Sequence, residues 1–205
     1  SYSISEQLSL GEIIYTEIGG DPDPNSPIII NLESKELETS FDQRQKTIQI
    51  PMLNDGSIYN IQFKGEDLAT NKAESNLIES VKYDITRPLI EIYYPTSNSY
   101  FMGSEISISI SEDLKDGKMV WTRTGGLSNE VDKQKIPLYD QYLKKGKYEK
   151  ASLPIEESLS AGVVYSLGID AVDFAENEAE PLLIESIEFI RNMSGKWYYK
   201  GAIIE

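Results

Sequence analysis

An all-β chain of two tandem antiparallel β-sandwiches is predicted by three observations. The stretch Tyr59 to Tyr83 is written a second time, without a gap, as Tyr165 to Phe189: Tyr165 follows Tyr59, Asp173 follows Asp67, Asn177 follows Asn71 and Ile184 follows Ile78 by the same 106 positions. The second copy holds about seven short apolar runs punctuated by Gly, Pro, Asn and Asp, the spacing of a two-sheet fold. Long stretches of helical periodicity do not occur between them. The repeat places the first sandwich at 1–86 and the second at 87–190. Residues 191–205 are left as a C-terminal extension or the start of a further module.

Composition excludes several function classes. Of 205 residues, 40% are hydrophobic and 26% charged, which suits globular domains rather than a disordered chain. No apolar run approaches the roughly 18 residues of a membrane helix. No charged-then-apolar start resembles a signal peptide, so any export signal is expected upstream of Ser1 or already removed. With 34 acidic and 19 basic residues the formal charge is -15, which repels phosphate backbones and argues against a nucleic-acid partner. The absence of both Cys and His removes thiolate nucleophiles, disulfides, thiolate or imidazole zinc sites and imidazole catalysis.

Taken in order, Ser1 to Glu6 alternates polar and apolar residues like a half-buried strand, as its counterpart Ser107 to Glu112 does. The second copy has an extra strand before this one, Pro88 to Tyr94, so the first copy lacks its first strand. Gln7 to Leu10 and Asp113 to Asp116 read as turns closed by Gly11 and Gly117. Glu12 to Ile18 and Lys118 to Thr124 read as the next strands. Tyr15 and Trp121 occupy one equivalent position there, where a large ring fills the middle of a sandwich. Gly19-Gly20 and Gly125-Gly126 end these strands, and Asp21 to Pro27 is a proline-rich loop.

Leu32 to Phe41 and Leu138 to Tyr148 have the apolar spacing of a short helical turn crossing between sheets. Tyr139, Tyr142 and Tyr148 form an aromatic group that only the second copy has. Thr47 to Ile50 and Ala151 to Ile155 read as further strands. Leu53, Gly56 and Tyr59, repeated as Leu159, Gly162 and Tyr165, match a tyrosine corner, in which the hydroxyl bonds to backbone upstream. From Tyr59 the chain runs to Lys64, turns at Glu66 to Asn71 and returns over Ala73 to Tyr83. Asp67 with Asn71, and Asn177 in the second copy, suit a tight connection because short polar side chains bond their own backbone. Asp84 to Pro88 joins the copies and is too short for a flexible tether.

These motifs resemble the bacterial immunoglobulin-like repeats, related in kind to fibronectin-III-like modules, that stand in tandem in very large secreted and surface-attached proteins. The resemblance rests on Gly117-Lys-Met-Val-Trp-Thr-Arg-Thr-Gly-Gly126, on Tyr59 through Asp67-Leu-Ala-Thr-Asn71-Lys-Ala73, and on Tyr83-Asp84-Ile-Thr-Arg-Pro88. It covers the chain to about Phe189. Thr70 and Glu176 stand where the family usually has glycine, Tyr15 stands where the second copy has Trp121, and the Asp-x-Thr-x-Pro junction is not repeated after the second copy. The resemblance implies an immunoglobulin-like fold and a spacer, adhesive or scaffold module. It also implies an extracellular or cell-surface location, neighbouring repeats as partners, and in some cases stiffening by calcium. It carries over no catalytic residue.

In a sandwich of that type Asp84, Glu112, Asp113, Asp116 and Asp173 are expected to share the junction between the copies. Calcium takes six to eight oxygens in loose geometry, so such carboxylates would form a clamp, and the alternative is a solvated acidic surface. Asp67 and Glu6 are the matching residues of the first copy. Paired carboxylates can hydrolyse glycosides, but a sandwich of about 100 residues offers little room for a deep cleft, so no enzyme is expected. The competing reading is a carbohydrate-binding accessory module of a secreted hydrolase, for which Tyr139, Tyr142, Tyr148 and Trp197 are the rings to inspect. Protein or glycan surface ligands fit either reading, and any unpaired edge strand adds a third route to partners.

Overall fold

The computed structural model describes residues 2–40, 52–73, 76–127, 132–193, 196–199 and 202–204. The chain is all-β, built of antiparallel sheets as the sequence predicts, with one three-residue strand, Tyr100–Met102, added parallel at an edge. It divides into two compact units, Ser1–Ile85 and Thr86–Glu205.

In the first unit β1 (Leu8–Gly20), β2 (Ile28–Asn31), β3 (Ser57–Asp67) and β4 (Asn76–Lys82) make one sheet in the order β2-β1-β3-β4. Period-two alternation turns Ile13 and Tyr15 of β1 and Tyr59 of β3 to the same face, where they pack with Leu32 and Leu53. The rings of Tyr15 and Tyr59 meet edge to face with centroids 6.4 Å apart, a favoured geometry because the ring edge is positive and its face negative.

The core of the second unit lies between two sheets. In one, β10 (Gly146–Ser152), β7 (Glu105–Ile110) and β5 (Ile90–Tyr94) pair in that order; in the other the order is β6 (Tyr100–Met102), β12 (Leu183–Ile190), β11 (Val163–Asp173), β8 (Leu114–Gly126) and β9 (Lys133–Pro137). The two sheets enclose one core between them, as in a β-sandwich. Ile106, Ile108 and Ile110 point inward from β7 against Met119, Trp121, Tyr165, Leu167, Ile187 and Phe189 of the facing sheet. Trp121 and Phe101 are completely buried, with ring centroids 5.4 Å apart and planes 27° from parallel. After β12, β13 (Asn192–Met193), β14 (Lys196–Tyr199) and β15 (Ala202–Ile204) form a small antiparallel sheet.

The repeat extends to the backbone. β1 pairs β3 from Leu8↔Asp67 to Gly20↔Ser57, and β8 pairs β11 from Leu114↔Asp173 to Gly126↔Val163. The register slips at equivalent places, Leu8/Leu10 and Glu17/Gly19 in one and Val172/Asp173 and Val164/Tyr165 in the other. Left-handed backbone recurs in step: Gly20 and Gly126 at φ 77° and 75°, Thr70 and Glu176 at 66° and 68°, Ser80 and Ser186 at 59° and 58°.

Several element boundaries differ from the sequence reading. Gln7 to Leu10 and Asp113 to Asp116 are not simple turns, because β1 and β8 begin at Leu8 and Leu114 and absorb the irregularity as a bulge. Ile28–Asn31 and Lys133–Pro137 are strands that the reading passed over, since four or five residues give little alternation to detect. The expected crossings contain 3₁₀ turns at Ser34–Glu36 and Asp140–Leu143, while Phe41 and Thr47 to Ile50 lie outside the described residues. In place of a strand over Ala151 to Ile155, β10 ends at Ser152 and a helical turn spans Ile155–Ser158. Pro154 separates them, having no N–H to give a ladder. Of the expected strand Ser1 to Glu6, the described residues Tyr2 to Glu6 form none, only an isolated bridge position at Tyr2, although Ile4 is buried like its counterpart Ile110.

Candidate functional site

Both units secure one strand, β3 in the first and β11 in the second, with the same two devices, one near its start and one at its end. The Tyr59 hydroxyl accepts the N–H of Asn54 at 2.9 Å and the Tyr165 hydroxyl accepts that of Ser160 at 3.1 Å, so each is a tyrosine corner. Tyr59 also donates to Asp23 Oδ2 at 2.5 Å, while Asp23 Oδ1 accepts the N–H of Asn25 at 2.9 Å. These bonds hold the Asp23 carboxyl below its ordinary pKa, the tyrosine bond chiefly. Burial, with the Asp23 bond second, pushes the Tyr59 hydroxyl up. Sequence reading missed Asp23; the signal available was an Asp two residues before Asn in a proline-rich loop, the pattern of an Asx turn.

The second device is a carboxylate cage. Asp173 Oδ1 accepts the N–H groups of Ala175 and Asn177 at 2.8 Å each, and Oδ2 accepts Asn177 Nδ2 at 2.8 Å. Asp67 repeats it on Ala69 at 2.7 Å and on the N–H and Nδ2 of Asn71 at 2.8 Å. The bonds from Asn71, side chain first, hold the Asp67 carboxyl below the usual range. The cage wraps a turn whose Thr70 and Glu176 take the left-handed conformation themselves. Asp67, Asn71, Asp173 and Asn177 therefore hold backbone.

Of the carboxylates singled out in the sequence, Glu112 and Asp173 are brought together within the second unit, their oxygens within 4.8 Å of one another. Asp173 is 2% exposed. Asp113 turns elsewhere, bonding Lys144 Nζ and the N–H of Lys145, both at 2.9 Å; the Lys145 N–H is the main cause of its lowered pKa. Asp116 lines an open groove of about 750 Å3 over the outer face of β8 and β11, with Lys118, Asp170 and Glu178. In the first unit Asp84 pairs with Lys82 Nζ at 2.6 Å, and Glu6 is exposed. The Glu112 and Asp173 donors are hard oxygens of the kind calcium prefers. They supply at most about four of its six to eight ligands, so carbonyl oxygens and water would supply the rest.

The three tyrosines of the second unit meet edge to face. Centroids are 5.7 Å apart at 72° for Tyr139 and Tyr142, and 5.4 Å apart at 85° for Tyr142 and Tyr148. Their hydroxyls are tied to backbone: Tyr139 donates to the Ser152 carbonyl at 3.1 Å, Tyr142 accepts the Ser152 N–H at 3.0 Å, and Tyr148 donates to the carbonyls of Gln141 and Lys144. A sugar platform needs coplanar exposed rings; here Tyr142 is buried and the planes are crossed. The Trp197 side chain lies outside the described residues.

Fold and site together define an all-β sandwich protein whose repeated polar side chains hold loops in place. Searches against protein-family models and against curated proteins returned no match to this chain.

Proposed function

We propose that the chain is a non-catalytic spacer or adhesive module of an extracellular or cell-surface multidomain protein, built from immunoglobulin-like repeats of the bacterial type. One observation carries this reading: the tyrosine corner and the carboxylate cage recur at the same offset in both units and spend polar groups on backbone and on neighbouring side chains. Selection for a shape preserves such bonds twice, whereas a reactive centre leaves polar groups directed at a ligand. Neighbouring repeats of the same protein are its first partners. Calcium enters the reading as a stiffener through Glu112 and Asp173.

The test is mechanical. Stretched singly between handles, the chain should unfold in separate steps, each releasing roughly 3.4 Å of contour per residue of one unit. Extension without resolved steps would remove the spacer reading. The carbohydrate-module reading competes, and the crossed tyrosine planes weigh against it. Binding to a glycan array that is lost with Tyr139→Ala would restore it.

A further inference from the structure

The sheet of the first unit has an outer face, turned away from Ile13, Tyr15 and Tyr59, and strand register sets its side chains in rows. One row crosses all of β1 to β4: Ile29 stands opposite Ile14, Ile14 opposite Gln62, and Gln62 opposite Leu77. Its two ends are exposed, Ile29 by 51% and Leu77 by 47%. On one side of it lies a charged row of Asn31, Glu12 and Lys64, and on the other the uncharged Thr16 and Asn60. Openness belongs to the face itself, since Leu183, the counterpart of Leu77, is 60% exposed in the second unit, where β5 and β6 are both in place. What differs is the chemistry. Where the first unit has Ile29 and Gln62, the second has Lys135 and Gly168, and Lys135 lies 4.0 Å from Asp170.

The rows of the first unit complement themselves. A two-fold axis along the strands, midway between β1 and β3, lays the face on a second copy with β1 over β3 and β2 over β4. Ile29 then meets Leu77, Thr16 meets Asn60 and Glu12 meets Lys64, each pair twice, as an isologous interface requires. Packed sheets cross at about 30°, so rows near the axis stay in step. The same face laid on the second unit of another copy would set Glu12 against Asp170 and Lys64 against Lys118, like charge on like. Charge therefore selects first unit for first unit. Strands about 4.8 Å apart, over the seven residues of β4, present roughly 450 Å² per copy, which is the size of a weak, reversible contact.

We propose that the outer face of the first unit's sheet pairs face to face with that of a second copy of this chain. Beyond the spacer reading, this gives neighbouring molecules a lateral contact made by their first units.

The test is sedimentation equilibrium of the full chain in about 0.15 M salt, where repulsion between two copies is screened beyond about 8 Å. A monomer–dimer equilibrium is expected, with a dissociation constant on the order of 10 μM to 1 mM. Glu12→Lys and Lys64→Glu should each weaken it at least about tenfold, because like charges then face each other. An equimolar mixture of these two variants should associate within about threefold of wild type, since one brings two lysines to the facing row and the other two glutamates. Mixing does not repair damage inside one chain. Ile29→Lys should abolish association, and Leu183→Lys, on the second unit, should leave it unchanged. A chain that stays monomeric at about 1 mM overturns the proposal, as does a mixture no tighter than its two components or a dimer that Leu183→Lys dissociates. Dimers of the Glu12 and Lys64 variants as tight as wild type, with amide exchange slowed along the outer edge of β2 or β4, would mean edge pairing instead and overturn it too. Stretching is done on one chain at a time, so the spacer reading and this one fail separately.

Discussion

Tyr59 donates its hydroxyl hydrogen to Asp23 Oδ2 at 2.5 Å, joining the sheet of the first unit to a loop 36 residues earlier in the chain. The bond depresses the Asp23 pKa, so its contribution to stability is present above the unfolded carboxyl value of about 4 and is lost as pH falls through the lower folded value. Melting curves between pH 7 and pH 2 should show the first unit losing stability below about pH 4. Asp23→Asn should lower the melting temperature at neutral pH and flatten that acid limb. An unchanged acid limb would mean that Asp23 does not set it.

The two tyrosine corners can be tested one at a time. Tyr59→Phe strands the Asn54 N–H and an Asp23 oxygen, and Tyr165→Phe strands the Ser160 N–H. A lost buried hydrogen bond that leaves its partner unsatisfied costs about 1–3 kcal/mol. Urea unfolding should place both variants at least within that range. A variant that unfolds at the wild-type urea midpoint would show that its corner adds nothing net.

Thr70 and Glu176 hold φ values of 66° and 68°. A left-handed residue other than Gly costs roughly 1–2 kcal/mol, and Gly gives back roughly 0.5–1 kcal/mol through unfolded-state entropy. Thr70→Gly and Glu176→Gly are therefore expected to stabilise their units by about 0.5–1 kcal/mol each. Glu176→Gly also removes an exposed ion pair with Lys115, a small loss, so the gain at position 70 should be the larger by differential scanning calorimetry.

What was legible in the sequence was whatever the duplication wrote twice. Tyr59 with Tyr165, and Asp67 and Asn71 with Asp173 and Asn177, kept residue type and spacing, and each pair holds the same bond in both units. What was not legible has too little length. β2 has four residues, and β6, which holds the completely buried Phe101, has three. Asp113 and Asp116 illustrate a different limit. Loop carboxylates a few residues apart look alike in sequence, yet one bonds Lys145 and the other lines the outer groove, because the bulge at Leu114 to Asp116 turns the chain between them.

Gly126 tests how tightly the corner is built. Its φ is 75°, and a Cβ there would stand 2.3 Å from the Gly162 carbonyl oxygen; at Gly20 the matching distance, to the Gly56 oxygen, is 2.2 Å. Neither oxygen belongs to a flexible side chain, so relief requires the two backbones to separate. Gly126→Ala should cost upwards of about 2 kcal/mol, more than the conformational penalty alone. Gly19→Ala, with open space around its Cβ position, should cost well under half as much in the same chemical denaturation series.

Glu112 and Asp173 put two carboxylates within 4.8 Å of one another, and the sign of their interaction depends on what lies between them. In a chelator the pair is repulsive, so Glu112→Gln should hold or raise the melting temperature of the second unit. A calcium ion reverses that sign. If sites of this kind bind with dissociation constants of 10⁻⁴ to 10⁻³ M, then about 10 mM calcium stabilises the wild-type chain by about 1.4–2.7 kcal/mol through mass action. The Gln variant should lose that increment while keeping its chelator value, which separates ligand loss from damage to the fold. Asp173→Asn is the wrong variant for this purpose, because the same carboxylate caps the turn at Ala175 and Asn177. Thermal melts of wild type and Glu112→Gln in chelator and in calcium decide the matter. A wild-type melting temperature that calcium leaves unmoved takes the ion out of the stiffening role and leaves rigidity to the tyrosine corners and carboxylate cages alone.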